Sequence, residues 1–169
     1  MQQVKDNPSK ARDLYAPVKE RIKIKDASDA DMNWVESICK TYKPDIVVLD
    51  MGDKFARTSG FARQDEALKA NAIHARQIAK QHNCAVFYMS QLSADAEGKV
   101  LLNQSMMEGS RTGKAAEADL MVLIAKNPVV DGMDEEDNQR HLNVVKNKLS
   151  GWHGVVHCEL DYKTARYEA

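Results

Sequence analysis

The sequence predicts an α/β fold in which a mostly parallel sheet is flanked by helices. Two short apolar runs, residues 45–50 and 84–92, are rich in β-branched or aromatic side chains, as strands buried on both faces of a parallel sheet are. Between them, residues 65–81 carry apolar side chains at helical spacing. A strand, a crossover helix and a second strand form the unit expected of a parallel sheet.

The flanking segments extend this pattern. Residues 21–25 alternate between charged and apolar side chains, which predicts a strand with one face in water. Ser28 or Asp29 is expected to cap a helix that ends at Pro44. Three further strands are predicted at residues 119–125, 141–148 and 154–161. The last two are expected to form a C-terminal β-hairpin.

The chain is expected to be a single domain. Its 169 residues, 43% of them hydrophobic, suffice for a sizeable core. Residues 1–20 are polar and interrupted by Pro8 and Pro17, which predicts an arm or the remnant of a preceding helix. Residues 21–169 are then the core.

Composition narrows the class of function. A net charge of -1 predicts no general attraction to nucleic acid, so contacts with DNA must come from local basic loops. The 3 cysteines lack the spacing of a metal site and predict free thiols in a reducing compartment. Because no apolar run reaches the length of a membrane span, we expect a cytoplasmic protein with no membrane partner.

The candidate site lies at the carboxyl ends of the two central strands. Asp50 ends the first apolar run and Gln91 lies near the end of the second, at the edge where open α/β sheets bind ligands. A carboxylate there suits the magnesium ion that accompanies a nucleotide, as a Walker B acid does. An amide can donate to a phosphate and accept from a water. The structural alternative is that Asp50 caps a turn and Gln91 satisfies backbone groups.

The order of the motifs resembles the motor domain of replicative hexameric DNA helicases, the bacterial DnaB type and the phage primase-helicases, which have a RecA-like core. The resemblance runs from about Arg21 to the end of the chain. The segments that carry it are residues 43–50, 87–92, 107–113, 118–124 and 144–154. The last of these is similar to the family's Lys-x-Arg-x-Thr-Gly-x-x-Gly hairpin.

The resemblance implies an ATP-dependent DNA helicase that uses Mg2+ and moves 5′ to 3′ along single-stranded DNA. It also implies a homo-oligomeric ring, a hexamer in the family, and primase as a partner. Asp50 would bind the metal, and Asp50 and Gln91 would act on the nucleotide. Lys146 and Lys148 match the basic residues of the hairpin, which reach the nucleotide of the neighbouring subunit in the family. Lys148 stands where the family has arginine, and two exposed strand lysines remain the structural alternative.

In the resembling helicases, the loops after the central strands face the channel of the ring and follow the DNA backbone. Lysine and arginine in such loops would supply phosphate contacts. The candidates in this chain are Lys54, Arg57, Arg63, Lys99, Arg111 and Lys114. A solvated surface loop would explain each of them equally well.

A phosphate-binding loop cannot be placed in this sequence. Residues 109–115 resemble one, but three residues rather than four separate Gly109 from Gly113, and Ala115 follows Lys114 instead of Ser or Thr. In the resembling family this loop precedes the whole matched segment. We therefore expect a motor domain truncated at its amino end, which alone hydrolyses ATP poorly or not at all.

Two other functions stay open. One is a recombinase-like or clock-type RecA homologue that also hydrolyses ATP. The other is a non-catalytic protein that keeps the fold as a binding or regulatory module. The segment 146–154, with its Lys-Asn-Lys-Leu-Ser-Gly start, favours the helicase over the recombinase.

Overall fold

The computed structural model describes residues 7–55, 64–109, 111–128 and 137–168. The helices are α1 Pro8–Tyr15, α2 Met32–Tyr42, α3 Gln64–His82 and α4 Arg111–Glu117. The strands are β1 Ile46–Leu49, β2 Ala85–Tyr88, β3 Leu120–Lys126, β4 Gln139–Asn147, β5 Gly154–Asp161 and β6 Arg166–Glu168. Short 3₁₀ turns cover Lys19–Arg21, Gly52–Lys54, Ala94–Ala96 and Gln104–Met106. Within these ranges, every helix is too short or too polar to cross a bilayer.

The strands form two sheets. β1 and β2 pair in parallel, with Ile46 opposite Ala85 and Leu49 opposite Tyr88. β3, β4, β5 and β6 form an antiparallel sheet in that order. The predicted α/β class, the crossover helix between β1 and β2, and the C-terminal hairpin of β4 and β5 are confirmed. The mostly parallel single sheet is not what the described strands form, because the parallel pairing is limited to β1 and β2.

The strand predicted at residues 21–25 is wrong. Arg21 ends a 3₁₀ turn, and the residues after it have no regular structure. The side chain of Ile24 is 89% exposed, and no strand of the described ranges pairs with this segment. Alternation shows which side chains suit a half-buried strand, but backbone groups also need a neighbouring strand to bond with.

The cap of α2 also differs from the prediction. Asp31, not Ser28 or Asp29, occupies the N-cap, and its carboxylate accepts a hydrogen bond from Trp34 N at 2.9 Å. This backbone hydrogen bond holds the pKa of Asp31 below its usual value. Ser28 instead donates to Asp26 in the preceding turn, at 2.5 Å.

Two apolar clusters form the core, and one helical layer serves both. The first cluster lies between α2, α3 and the parallel sheet: Met32, Val35, Cys39, Leu49, Phe55, Ala75 and Ile78. The second lies under β3: Leu102, Met106, Met107, Ala115, Met121, Leu123 and Ala125. α3 contacts α2, β2 and α4, so it joins the two halves of the molecule.

Cys39, Cys84 and Cys158 are free, as the sequence predicts. Cys39 and Cys158 are buried, and burial raises the pKa of the Cys39 and Cys84 thiols. Thiols in such surroundings remain protonated at neutral pH and are poor nucleophiles.

We expect Asp31→Ala to lower the free energy of unfolding by about 1 kcal/mol, since removing an N-cap acceptor leaves a backbone donor without its partner. Asp29→Ala is the matched control and is expected to leave the stability unchanged. Urea denaturation followed by circular dichroism measures both. A larger loss for Asp29→Ala than for Asp31→Ala would contradict the observed cap.

Candidate functional site

Asp50 and Gln91 lie at the same edge of the parallel sheet. Asp50 directly follows β1, and Gln91 follows β2 after Met89 and Ser90. Because β1 and β2 run in parallel, their carboxyl ends meet at one edge. The carboxylate of Asp50 is exposed and has no hydrogen bond or ion pair with the residues that the structure describes. The placement expected of the pair is therefore observed, and their roles stay predictions.

The backbone turns sharply after Asp50. Met51 adopts the left-handed conformation, with a φ of 54°. Gly52 N then donates to Met89 O at 2.8 Å, which ties this turn to the end of β2. A Cβ atom on Gly52 would lie 2.6 Å from Cζ of the Tyr88 ring, so only glycine fits this contact. The close approach fixes the chain on both sides of the site.

A buried ion pair lies beneath this edge. Lys114 Nζ of α4 lies 2.9 Å from Asp53 Oδ2 and 3.1 Å from Asp53 Oδ1, and it donates to Ser90 Oγ at 2.7 Å. Ser90 Oγ in turn donates to Asp53 Oδ2 at 2.5 Å. The side chains of Lys114 and Asp53 are only 3% and 17% exposed. The ends of β1 and β2 are thereby fastened to α4.

Tyr88 completes this group. Its hydroxyl donates to Asp53 Oδ1 at 3.3 Å. Burial raises the pKa of Tyr88, and the neighbouring Asp53 carboxylate raises it further. The phenol therefore stays protonated at neutral pH and remains a donor to Asp53.

The sequence places Lys114 among the basic loop residues that would contact DNA, and the structure places it elsewhere. Lys114 belongs to α4, and its ammonium is enclosed by Asp53 and Ser90. No accessible charge is left for a phosphate. The partner could not be found from local spacing, because Asp53 and Lys114 are 61 residues apart.

The other candidates for DNA contact are placed unevenly. Lys54 lies in the 3₁₀ turn after β1, and Lys99 lies in the loop after β2; both are exposed. Arg57 and Arg63 lie outside the described residues. Arg111 begins α4, but its side chain is outside the described part of the chain.

The two hairpin lysines have different surroundings. Lys146 Nζ donates to Ala115 O and, at 3.3 Å, to Ala116 O near the C-terminal end of α4. Desolvation by burial lowers the pKa of Lys146, and the charge of Lys148 lowers it further. Lys148 Nζ lies 3.5 Å from Asp119 Oδ1, and the two side chains are 45% and 54% exposed. Lys146 is thus held inside this chain, whereas Lys148 stands at its surface.

Arg76 of α3 is a neighbour that the sequence pattern does not single out. Its Nη1 donates to Glu117 O at 2.5 Å, and its Nη2 lies 3.3 Å from Asp119 Oδ1. Asp119 therefore sits between Arg76 and Lys148. This carboxylate sets the position of both cations at the base of the hairpin.

The described residues contain no group of 3 or more His, Cys, Asp or Glu that could hold a metal ion by themselves. Magnesium in nucleotide sites is commonly bound through one or two carboxylates together with substrate phosphates. The single exposed carboxylate of Asp50 fits that mode of binding. It does not fit a site built from protein ligands alone.

No known protein family and no curated protein matches the sequence. Solved structures do match. One is the ATPase domain of a DnaB-like replicative helicase, with a TM-score of 0.72 and 17% identity, and with 83% of this chain and 51% of that chain covered. Another is a DnaB-like replicative helicase solved in a study of its interactions with primase, with a TM-score of 0.71 and 17% identity, and with 87% and 36% covered.

This chain therefore has the fold of the ATPase domains of DnaB-like replicative helicases, which confirms the resemblance drawn from the motifs. It spans about half the length of the first matched chain, called the reference ATPase domain below, and about a third of the other.

We expect Lys114→Ala to lower the free energy of unfolding by about 3–5 kcal/mol, because it leaves the Asp53 carboxylate buried without its cation. The exposed Lys99 provides the matched control, and Lys99→Ala should stay within about 0.5 kcal/mol of the parent. Should Lys114→Ala fail to fold, Asp53→Asn combined with Lys114→Met removes both charges and is expected to recover much of the loss. Chemical denaturation measures all three variants, and equal stabilities for Lys114→Ala and Lys99→Ala would contradict the ion pair.

Proposed function

We propose that this chain is part of the RecA-like motor of an ATP-dependent replicative DNA helicase, and that its phosphate-binding loop is supplied by a segment outside this sequence. The observation that carries the proposal is the position of Asp50 and Gln91 at one edge of a parallel strand pair, in a chain with the fold of helicase ATPase domains. The complete motor would form a ring, a hexamer by resemblance, that moves 5′ to 3′ on single-stranded DNA in the cytoplasm and works with primase.

Asp50 and Gln91 divide the work at the nucleotide. Bound Mg2+ would neutralise charge on the phosphates during phosphoryl transfer. Asp50 is suited to hold that ion because its carboxylate is exposed and not engaged by the described residues. Gln91 has a neutral amide that donates to a phosphate oxygen and accepts from the attacking water. The buried Asp53–Lys114 pair and Gly52 hold the backbone that carries both residues.

Lys148 is the hairpin residue suited to reach a neighbouring subunit. Its ion pair with Asp119 is largely exposed, so releasing it costs at most about 1 kcal/mol. Lys146 is instead engaged by the last carbonyls of α4, and its role is to position the hairpin. An ammonium at Lys148 provides a point charge for the transferred phosphoryl rather than the two-pronged contact of arginine.

A second function is favoured by one observation. The sequence lacks a loop that could cradle the β- and γ-phosphates, so a non-catalytic binding module would use the same fold without hydrolysis. The two functions differ in what happens when a phosphate-binding segment is present. A motor gains ATP hydrolysis that depends on Asp50, whereas a module does not.

We expect the purified chain to bind magnesium-ATP with a dissociation constant above about 1 mM and to show no turnover, because the backbone cradle of the phosphates is missing. Calorimetry and phosphate release measure the two quantities. Micromolar affinity for this chain alone would contradict the assignment of the cradle to another segment.

In a motor completed by such a segment, Asp50→Asn should abolish ATP hydrolysis. Asp45→Asn is the control, since Asp45 is an exposed acid at the opposite end of β1 and should be dispensable. Equal activity of the two variants would reject Asp50 as the metal ligand and favour the binding module.

Single-stranded DNA is expected to bind weakly and less tightly as salt rises. Lys54→Ala with Lys99→Ala should reduce the slope of log K against log salt by about 1.4, since each phosphate contact on a single strand contributes about 0.7. The control pair Lys69→Ala and Lys80→Ala removes two exposed lysines from α3 and should leave the slope unchanged. Fluorescence anisotropy at several salt concentrations measures the slope, and equal slopes for both pairs would exclude the loops as the DNA contact.

A further inference from the structure

Both sheets present an uncovered apolar face. On β1, on β2 and just beyond it, and on β3, every second residue is a large apolar side chain between 41% and 60% exposed. These residues are Ile46, Val48, Phe87, Met89, Leu120, Val122 and Ile124. The residues between them pack into or against the two core clusters. Strands of this composition are normally covered on both faces.

The two uncovered faces point to the same side of the molecule. α3 packs against β2 and against α4, and Ala115 of α4 packs with Met121 and Leu123 of β3. The covered faces of both sheets therefore rest on one helical layer. Their exposed faces are turned away from that layer and together form one apolar surface.

β2 and β3 each have one free edge. β2 pairs with β1 on one side, and β3 pairs with β4 on one side; among the described strands, neither has a second partner. Edge strands are usually protected by charged residues or proline. β2 has neither, and residues 120–125 of β3 have neither. Both edges carry the features of strands that pair with another chain segment.

The two free edges belong to adjoining parts of the molecule. Lys114 of α4 contacts Ser90, just beyond the end of β2. The same helix ends at Glu117, and β3 begins at Leu120. A single inserted strand would supply hydrogen bonds to both edges, which a second copy pairing at one edge would not do.

We propose that β2 and β3 are the two sides of a docking site for one apolar β-strand of a further polypeptide segment, and that the helix following that strand covers the apolar surface. The segment is the one to which the proposed function assigns the phosphate-binding loop, so this inference rests on that proposal. The length of the matched structures supports this occupant, because this chain covers only 51% of the reference ATPase domain. A strand followed by a helix supplies the two things the site requires, main-chain hydrogen bonds and apolar cover.

The experiment joins the unmatched half of the reference ATPase domain to this chain through a flexible linker, which gives an effective concentration in about the millimolar range. Hydrogen exchange monitored by mass spectrometry is compared with that of the unlinked chain. We expect slower exchange at residues 85–88 and 120–126 in the linked protein. Unchanged exchange at both strands would overturn the proposal.

Variants of the apolar surface test the occupant further. Phe87→Lys and Val122→Lys place a charge where the helix would pack and should weaken association of the separately added half of the reference ATPase domain by at least about tenfold. Leu149→Lys is the matched control, because Leu149 is exposed on the hairpin loop away from this surface. Circular dichroism confirms that the variants fold. Equal association of the surface variants and the control would overturn the site.

Two outcomes separate this inference from the proposed function. Protection of both strands without ATP hydrolysis retains the docking site and rejects the motor function. If the chain alone forms a dimer that protects both strands and is disrupted by Phe87→Lys, the occupant is a second copy and the proposed segment is wrong. Sedimentation of the unlinked chain decides between these occupants.

Discussion

The geometry of the site depends on the buried ion pair between Asp53 and Lys114. Desolvating two charges costs several kcal/mol per ion, and here the cost is offset by their close contact and by hydrogen bonds from Ser90 and Tyr88. The pair lies between the carboxyl ends of β1 and β2 and the first turns of α4. Asp50 and Gln91 occupy the adjacent positions, so their separation is fixed by a contact in which neither takes part.

The hairpin shows how one sequence motif contains two different kinds of residue. Lys146 and Lys148 have the same chemistry and alternate positions on one strand. Carbonyl groups at the end of α4 engage the first, and an exposed carboxylate contacts the second. Only the second can leave its partner at little cost. A motif match alone would have treated both as equivalent contacts with a nucleotide.

Local patterns predicted the elements whose signals are local. β1, α3, β2 and the hairpin were predictable because apolar periodicity and turn residues determine them. The strand expected at residues 21–25 was not formed, since pairing requires a partner that alternation cannot supply. The Asp53–Lys114 contact was missed for a similar reason, because 61 residues separate its members. The candidate site could thus be placed at the right edge, but the residues that support it could not be found.

The unprotected edges of β2 and β3 also affect how the isolated chain behaves in solution. Two strands without charge or proline, beside an exposed apolar surface, favour intermolecular sheet formation as concentration rises. Sulfate and other salts that strengthen apolar burial would promote this association. Colloidal behaviour, more than the stability of the fold, therefore sets the concentration at which the chain can be handled alone.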